Sequence, residues 1–130
     1  MKGHSRLIWN GSWSQTNKDV FFTVGRDKQL ICWKKLETGW TKHCSKICPN
    51  AITAIDTVLM DTNTEMLVIG LECGQLHRLK FNGEKFDELE ILNRDFSHGG
   101  TVNQIRFKNS SLVATCGDDN QVKLFSICSS

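Results

Sequence analysis

The chain has 130 residues, 39% of them hydrophobic, and a net charge of only +2 from 16 Lys and Arg against 14 Asp and Glu. That is enough apolar material for a core. The charge is too even to announce a nucleic-acid or membrane surface, although it leaves room for a local basic patch, and the longest apolar runs, such as residues 66–70, fall far short of the roughly 20 residues that cross a bilayer.

The opening stretch Met1-Lys2-Gly3-His4-Ser5-Arg6 lacks the apolar run and small-residue site of a secretory signal. An intracellular compartment is therefore expected, and with it reduced thiols at Cys32, Cys44, Cys48, Cys73, Cys116 and Cys128. The Asn-x-Ser sequons at Asn10 and Asn109 then go unused. In chain order, short runs of β-branched, aromatic and aliphatic residues predict strands at 20–24, 30–33, 66–70, 76–81, 102–107, 112–116 and 122–125. Glycines fall where strands should turn, at Gly25, Gly70, Gly74 and Gly117, and nothing reads as a long amphipathic helix. The class is all-β.

Three segments align without gaps: residues 23–33, 69–79 and 115–125. Forty-six positions separate Asp27 from Cys73 and Cys73 from Asp119, and Gln29, Gln75 and Gln121 mark the same step. A period of this size lies beside the roughly 40–45 residues of a four-stranded propeller blade. Each unit also has the blade's order. Gly3-His4 precedes a strand around residues 7–13, a second strand ends at Thr23, Asp27 sits in a turn, and a third strand ends at Trp33; the third unit repeats this with His98-Gly99, Thr115, Asp119 and Phe125.

These residues make the chain resemble the WD-repeat β-propeller family. The resemblance implies about three blades of an incomplete propeller, with units at roughly 1–46, 47–93 and 94–130. It also implies a buried polar network in which Asp meets the His ring, His meets a Ser or Thr hydroxyl, and the Trp indole completes the set. The first unit carries His4, Thr23, Asp27 and Trp33; the third carries His98, Thr115 and Asp119, with Phe125 lacking the last donor. The middle unit has Cys73 and Leu79 at the Asp and Trp positions, so apolar packing must serve there. Closed propellers take about 4 to 8 blades, so three imply the C-terminal portion of a longer chain or a truncated product.

Within that family the wording of residues 3–9, 13–14, 21–28, 52–56, 68–74 and 114–119 is similar to the late blades of the Elongator complex protein 2 family. Gly70-Leu71-Glu72-Cys73-Gly74 is the most distinctive stretch, because a generic blade has Asp where Cys73 stands. The resemblance implies a scaffold that binds other Elongator subunits, in an assembly that modifies wobble uridines of tRNA through a separate catalytic subunit. It implies no cofactor, contact with tRNA that is at most weak or indirect, and residence in the cytoplasm, with the nucleus as a second compartment.

Other readings of the same residues remain. A propeller binding RNA or another protein complex directly is the alternative, with Lys18, Lys34, Lys35, Lys42 and Lys46 as phosphate contacts and Trp9, Trp13 and Trp40 as stacking platforms. Against it, scattered lysines usually just solvate a surface, and aromatic side chains at strand spacing usually pack. His43, Cys44 and Cys48 are the one metal-like cluster, without the paired ligands of a structural zinc site. The matching repeat positions of His4 and His98 favour a structural hydrogen bond over a catalytic base or metal ligand. No nucleophile stands at motif spacing from a base and no glycine loop cradles phosphate, so no catalytic, cofactor or metal residue is assigned. Arg26, next to Asp27 in the turn, is the candidate surface contact.

Overall fold

A computed structural model describes residue 4 and residues 6–127 of the chain. Gly3, Ser5 and Cys128, named above, lie outside the described residues. The β-rich pattern resolves into three antiparallel meanders, each pairing its strands in sequence order. The first holds β1 (Ile8–Trp13), β2 (Val20–Gly25), β3 (Gln29–Leu36) and β4 (Gly39–Ile47). The second holds β5 (Ile52–Leu59), β6 (Glu65–Leu71), β7 (Leu76–Phe81) and β8 (Glu90–Ile91). The third holds β9 (Val102–Phe107), β10 (Leu112–Gly117) and β11 (Val122–Ser126). Between β8 and β9 lies one 3-10 turn, Arg94–Phe96.

Sequence signals missed β4, β5 and β8. The reason is compositional: β4 reads Gly-Trp-Thr-Lys-His-Cys-Ser-Lys-Ile, a polar edge strand with little β-branched content, and β5 places Asp56 in mid-strand, where its carboxylate accepts from the Phe107 backbone N–H of the third sheet at 2.7 Å. A partner 51 residues away is invisible in a local window.

Strand alternation places the core. In β2, Val20, Phe22 and Val24 point to the second sheet while Phe21 and Thr23 point away, as a period of two requires. The middle sheet is covered on both sides, and β6 is buried along its whole length. Its Leu67, Ile69 and Leu71 join Phe22, Leu30, Cys32, Leu79 and Phe81 in one cluster; its Met66 and Val68 join Ala54, Leu76, Val102, Ile105, Val113 and Phe125 in the other. Gly70 makes room for Val102 of the third sheet, since a Cβ there would come within 2.5 Å of that side chain.

The outward face of the first sheet carries an aromatic group. Phe21 stacks on Trp33 at 6.3 Å and meets Trp40 edge-on at 5.1 Å, and Trp13 meets both Phe21 and Trp40. Trp13 keeps 59% of its surface exposed and Trp9 50%, so neither is a core residue of the described structure.

Candidate protein-interaction face

The three turns that join the second and third strands of each sheet share one backbone form. Lys28, Gly74 and Asn120 occupy the same repeat position and all have positive φ, at 68°, 95° and 63°. Each also donates its N–H back three residues, to Gly25, Leu71 and Gly117. Lysine and asparagine tolerate that conformation at a cost of order 1 kcal/mol that glycine avoids, so something must hold the turns.

In the first unit a chain of side-chain bonds does so. His4 Nδ1 lies 2.9 Å from Asp27 Oδ1, His4 Nε2 lies 2.7 Å from Thr23 Oγ1, and the Trp33 indole N–H donates to the same Thr23 oxygen at 2.8 Å. The proton order follows from the donors available. Trp33 can only donate, so Thr23 accepts from it and has its own hydrogen to give to His4 Nε2, while Nδ1–H serves Asp27; every member of the set then has a partner. Asp27 also accepts from the Gln29 backbone N–H at 3.2 Å, which fixes the turn.

The third unit repeats the arrangement. His98 Nδ1 is 2.9 Å from Asp119 Oδ1 and His98 Nε2 is 2.7 Å from Thr115 Oγ1, while Asp119 accepts from the backbone N–H groups of Gly99 and Gln121. Phe125 replaces the indole and stacks on Phe96 at 4.2 Å, nearly parallel. The middle unit has no such bonds at Cys73 and Leu79: Leu79 lies in the core, and Cys73 is exposed.

Two expected results follow. Asp27→Ala removes the carboxylate that caps His4 and the turn, and should cost about 1–3 kcal/mol in urea unfolding. Cys73→Ala at the matching exposed position should stay within about 0.5 kcal/mol. Equal losses would count against a structural role for the Asp27 set. The second result concerns acid. The Gly99 backbone N–H and then the His98 ring hold the Asp119 carboxyl at about 2, below its ordinary 3.8. A depressed folded value means a contribution present above pH 3.8 and lost as pH falls through about 2. Asp119→Asn should flatten the stability profile in that window, measured by thermal unfolding across the pH range; an unchanged slope would refute the link.

These turns present a rim. Arg26, Glu72 and Asp118 sit one residue before the Asp27, Cys73 and Asp119 positions, and all three line a single cleft of about 530 Å³ with Trp9, Thr53 and Asn103. Arg26, with Arg6 and Lys28, also lines an adjoining cleft that reaches Glu72 and Cys73. The innermost strands of the sheets supply the floor. Sequence reasoning singled out Arg26 and missed Glu72 and Asp118, although the 46-residue spacing that aligned the turns also aligned these three.

The remaining candidates lie elsewhere. Lys34, Lys35, Lys42 and Lys46 are on β3 and β4, at the outer side of the first sheet, and Lys18 is in the β1–β2 turn. His43 Nε2 is 3.8 Å from Glu84 and lacks a hydrogen-bond partner. Among the described residues no group of three or more His, Cys, Asp or Glu side chains is placed to hold a metal ion.

Three meandering antiparallel sheets stacked face to face, with His, Thr, Asp and Trp bonded at the turn of the first and His, Thr and Asp at that of the third, define a run of WD-repeat propeller blades. The fold superposes on the WD40 beta propeller domain of Doa1 with a TM-score of 0.75 and 15% identity, covering 95% of this chain and 38% of that one. In sequence, the chain is similar to Elongator complex protein 2. It is 31% identical over 123 residues to the Homo sapiens protein, covering 87% of this chain and 14% of that one. Against the Saccharomyces cerevisiae protein it is 26% identical over 136 residues, with 97% and 17% covered, and against that of Schizosaccharomyces pombe 34% over 85 residues, with 58% and 10% covered. The chain thus spans between 10% and 17% of the length of these relatives. No protein-family profile matches it.

Proposed function

We propose that this chain is a non-catalytic scaffold segment of an Elongator-type assembly, holding other subunits of that assembly through the rim of its propeller turns. The observation that carries this reading is the convergence of Arg26, Glu72 and Asp118 from three repeats onto one cleft. Two carboxylates and one guanidinium suit a protein surface of mixed charge. The two carboxylates repel the continuous anion of a nucleic-acid backbone, which rewards a one-signed basic groove. On this reading the assembly acts on wobble uridines of tRNA in the cytoplasm, with a further place in the nucleus, and this segment supports that work without touching the uridine.

The test is affinity capture of the tagged chain from cells of its source, alone and joined to the remainder of a full-length relative, with bound proteins identified by mass spectrometry. Recovery of Elongator subunits, weakened by Arg26→Glu with Glu72→Arg, supports the reading. Recovery of RNA, in amounts that collapse as salt rises, would replace it with direct nucleic-acid binding.

A further inference from the structure

The first sheet holds a pair of thiols in a particular relation. Cys32 on β3 and Cys44 on β4 are direct partners in the antiparallel register. Opposed residues of such a ladder have Cα atoms roughly 4.5–5.5 Å apart and share one face of the sheet. A disulfide spans Cα separations of roughly 4.4–6.8 Å, so the backbone already satisfies its length. The register then steps to Trp33 against Lys42, leaving His43 as the extra residue of a β-bulge. A bulge interrupts the ladder and lets the strand bend locally, giving the pair room to adjust.

The two thiols differ in chemistry. Both are free; Cys32 is wholly buried between the first and second sheets, and Cys44 packs against the same cluster while part of it reaches solvent. The hydrogen bond with Cys32, helped by the backbone of Phe86, holds the Cys44 thiol below the ordinary cysteine value. That same bond, with burial, pushes Cys32 up. Cys44 is therefore the thiol that ionises first and that solvent can reach, and Cys32 waits beside it with its proton on. An exposed low-pKa thiol with a second thiol in reach is the arrangement that oxidises reversibly. The other described cysteines lack it. Burial pushes Cys48 up to about 12, Cys73 is exposed in a turn of the second sheet, and Cys116 faces Val122 and Gln104 across its strands.

We propose that Cys32 and Cys44 form a peroxide-responsive dithiol that closes to a cross-strand disulfide within the first sheet. The Cys44 thiolate attacks one oxygen of hydrogen peroxide; the O–O bond breaks, a sulfenic acid forms at Cys44, and the departing hydroxide takes up a proton to become water. The Cys32 sulfur then attacks the Cys44 sulfur; the S–O bond breaks, and the Cys32 proton leaves with the hydroxide as a second water. Each sulfur gives up one electron, and the peroxide accepts both. The closed bond ties β4, the outer strand of the sheet, to its neighbour.

The test uses the whole chain, treated with hydrogen peroxide, blocked with N-ethylmaleimide and digested with trypsin. The expected product is peptide 29–34 joined to peptide 43–46, lighter than the two separate peptides by two hydrogen atoms and released by dithiothreitol. Cys32→Ser should abolish the joined pair and leave Cys44 as a sulfenic acid that dimedone traps. The wild-type digest decides the matter even if that variant fails to fold. A dimedone adduct at Cys44 without the joined pair, a bond from either residue to Cys73 or to a second chain, or no reaction where free glutathione is fully oxidised would each overturn the proposal.

Discussion

Glu65→Ala is expected to destabilise the chain by about 3–5 kcal/mol, read as a fall in the urea midpoint at constant slope. Glu65 opens β6 and is 0% exposed. Its carboxylate accepts from the hydroxyls of Ser14, Thr16 (2.8 Å) and Thr57 (2.6 Å) and from the Gln15 backbone N–H (2.9 Å). Three of those donors belong to the β1–β2 turn, so one side chain of the second sheet organises the end of the first. Ser14 in turn accepts from the backbone N–H groups of Thr16 and Asn17. Alanine strands several buried donors at once, and each costs about 1–3 kcal/mol unless water reaches it. Glu65→Gln keeps the volume and one good acceptor and should lose about 1–2 kcal/mol, since hydroxyls can rotate to accept from the amide. A loss under about 1 kcal/mol for the alanine variant would mean the network contributes nothing net.

Gly74→Ala should cost about 3–5 kcal/mol, and its effect should reach the third sheet. Gly74 combines φ of 95° with a close approach: a Cβ would lie 1.9 Å from the His98 carbonyl oxygen and 2.9 Å from that of Gly100. The Gly74 carbonyl also accepts the His98 backbone N–H at 2.9 Å. Backbone cannot yield as a flexible side-chain end would, so the His98–Gly100 segment must move, and His98 is the member that bonds both Thr115 and Asp119. Hydrogen exchange at the third sheet should therefore quicken along with global destabilisation. Lys28→Gly at the equivalent turn should be neutral to stabilising by up to about 1 kcal/mol, because the backbone there already sits at φ 68°. If Gly74→Ala melted with wild-type, the close packing of the two turns would be wrong.

Set against these two sites, the polar turn sets were easy to read. His4, Thr23, Asp27 and Trp33 recur in part as His98, Thr115 and Asp119, and a hydrogen-bonded set that serves the same turn in the first and third units leaves the same residue types behind. Glu65 gave no such signal. It follows Thr62-Asn63-Thr64 and looks like one more polar loop residue, and its partners at positions 14–16 are distant in sequence and unrelated to the repeat. The thiol pair was equally hidden: Cys32 and Cys44 face each other only because β4 folds back with a one-residue bulge, and no local rule sets that register.

The all-β class, the 46-residue period and the polar residues at the turns of the first and third units are legible in the chain alone, because these are local or repeated and depend on side-chain chemistry at set positions. Which faces of the sheets meet, the burial of Glu65, the convergence of Arg26, Glu72 and Asp118 on one cleft and the opposition of two cysteines emerge in the folded chain alone. Those facts come from how the three sheets stack, and stacking depends on the shapes of whole faces, which no single stretch of chain encodes.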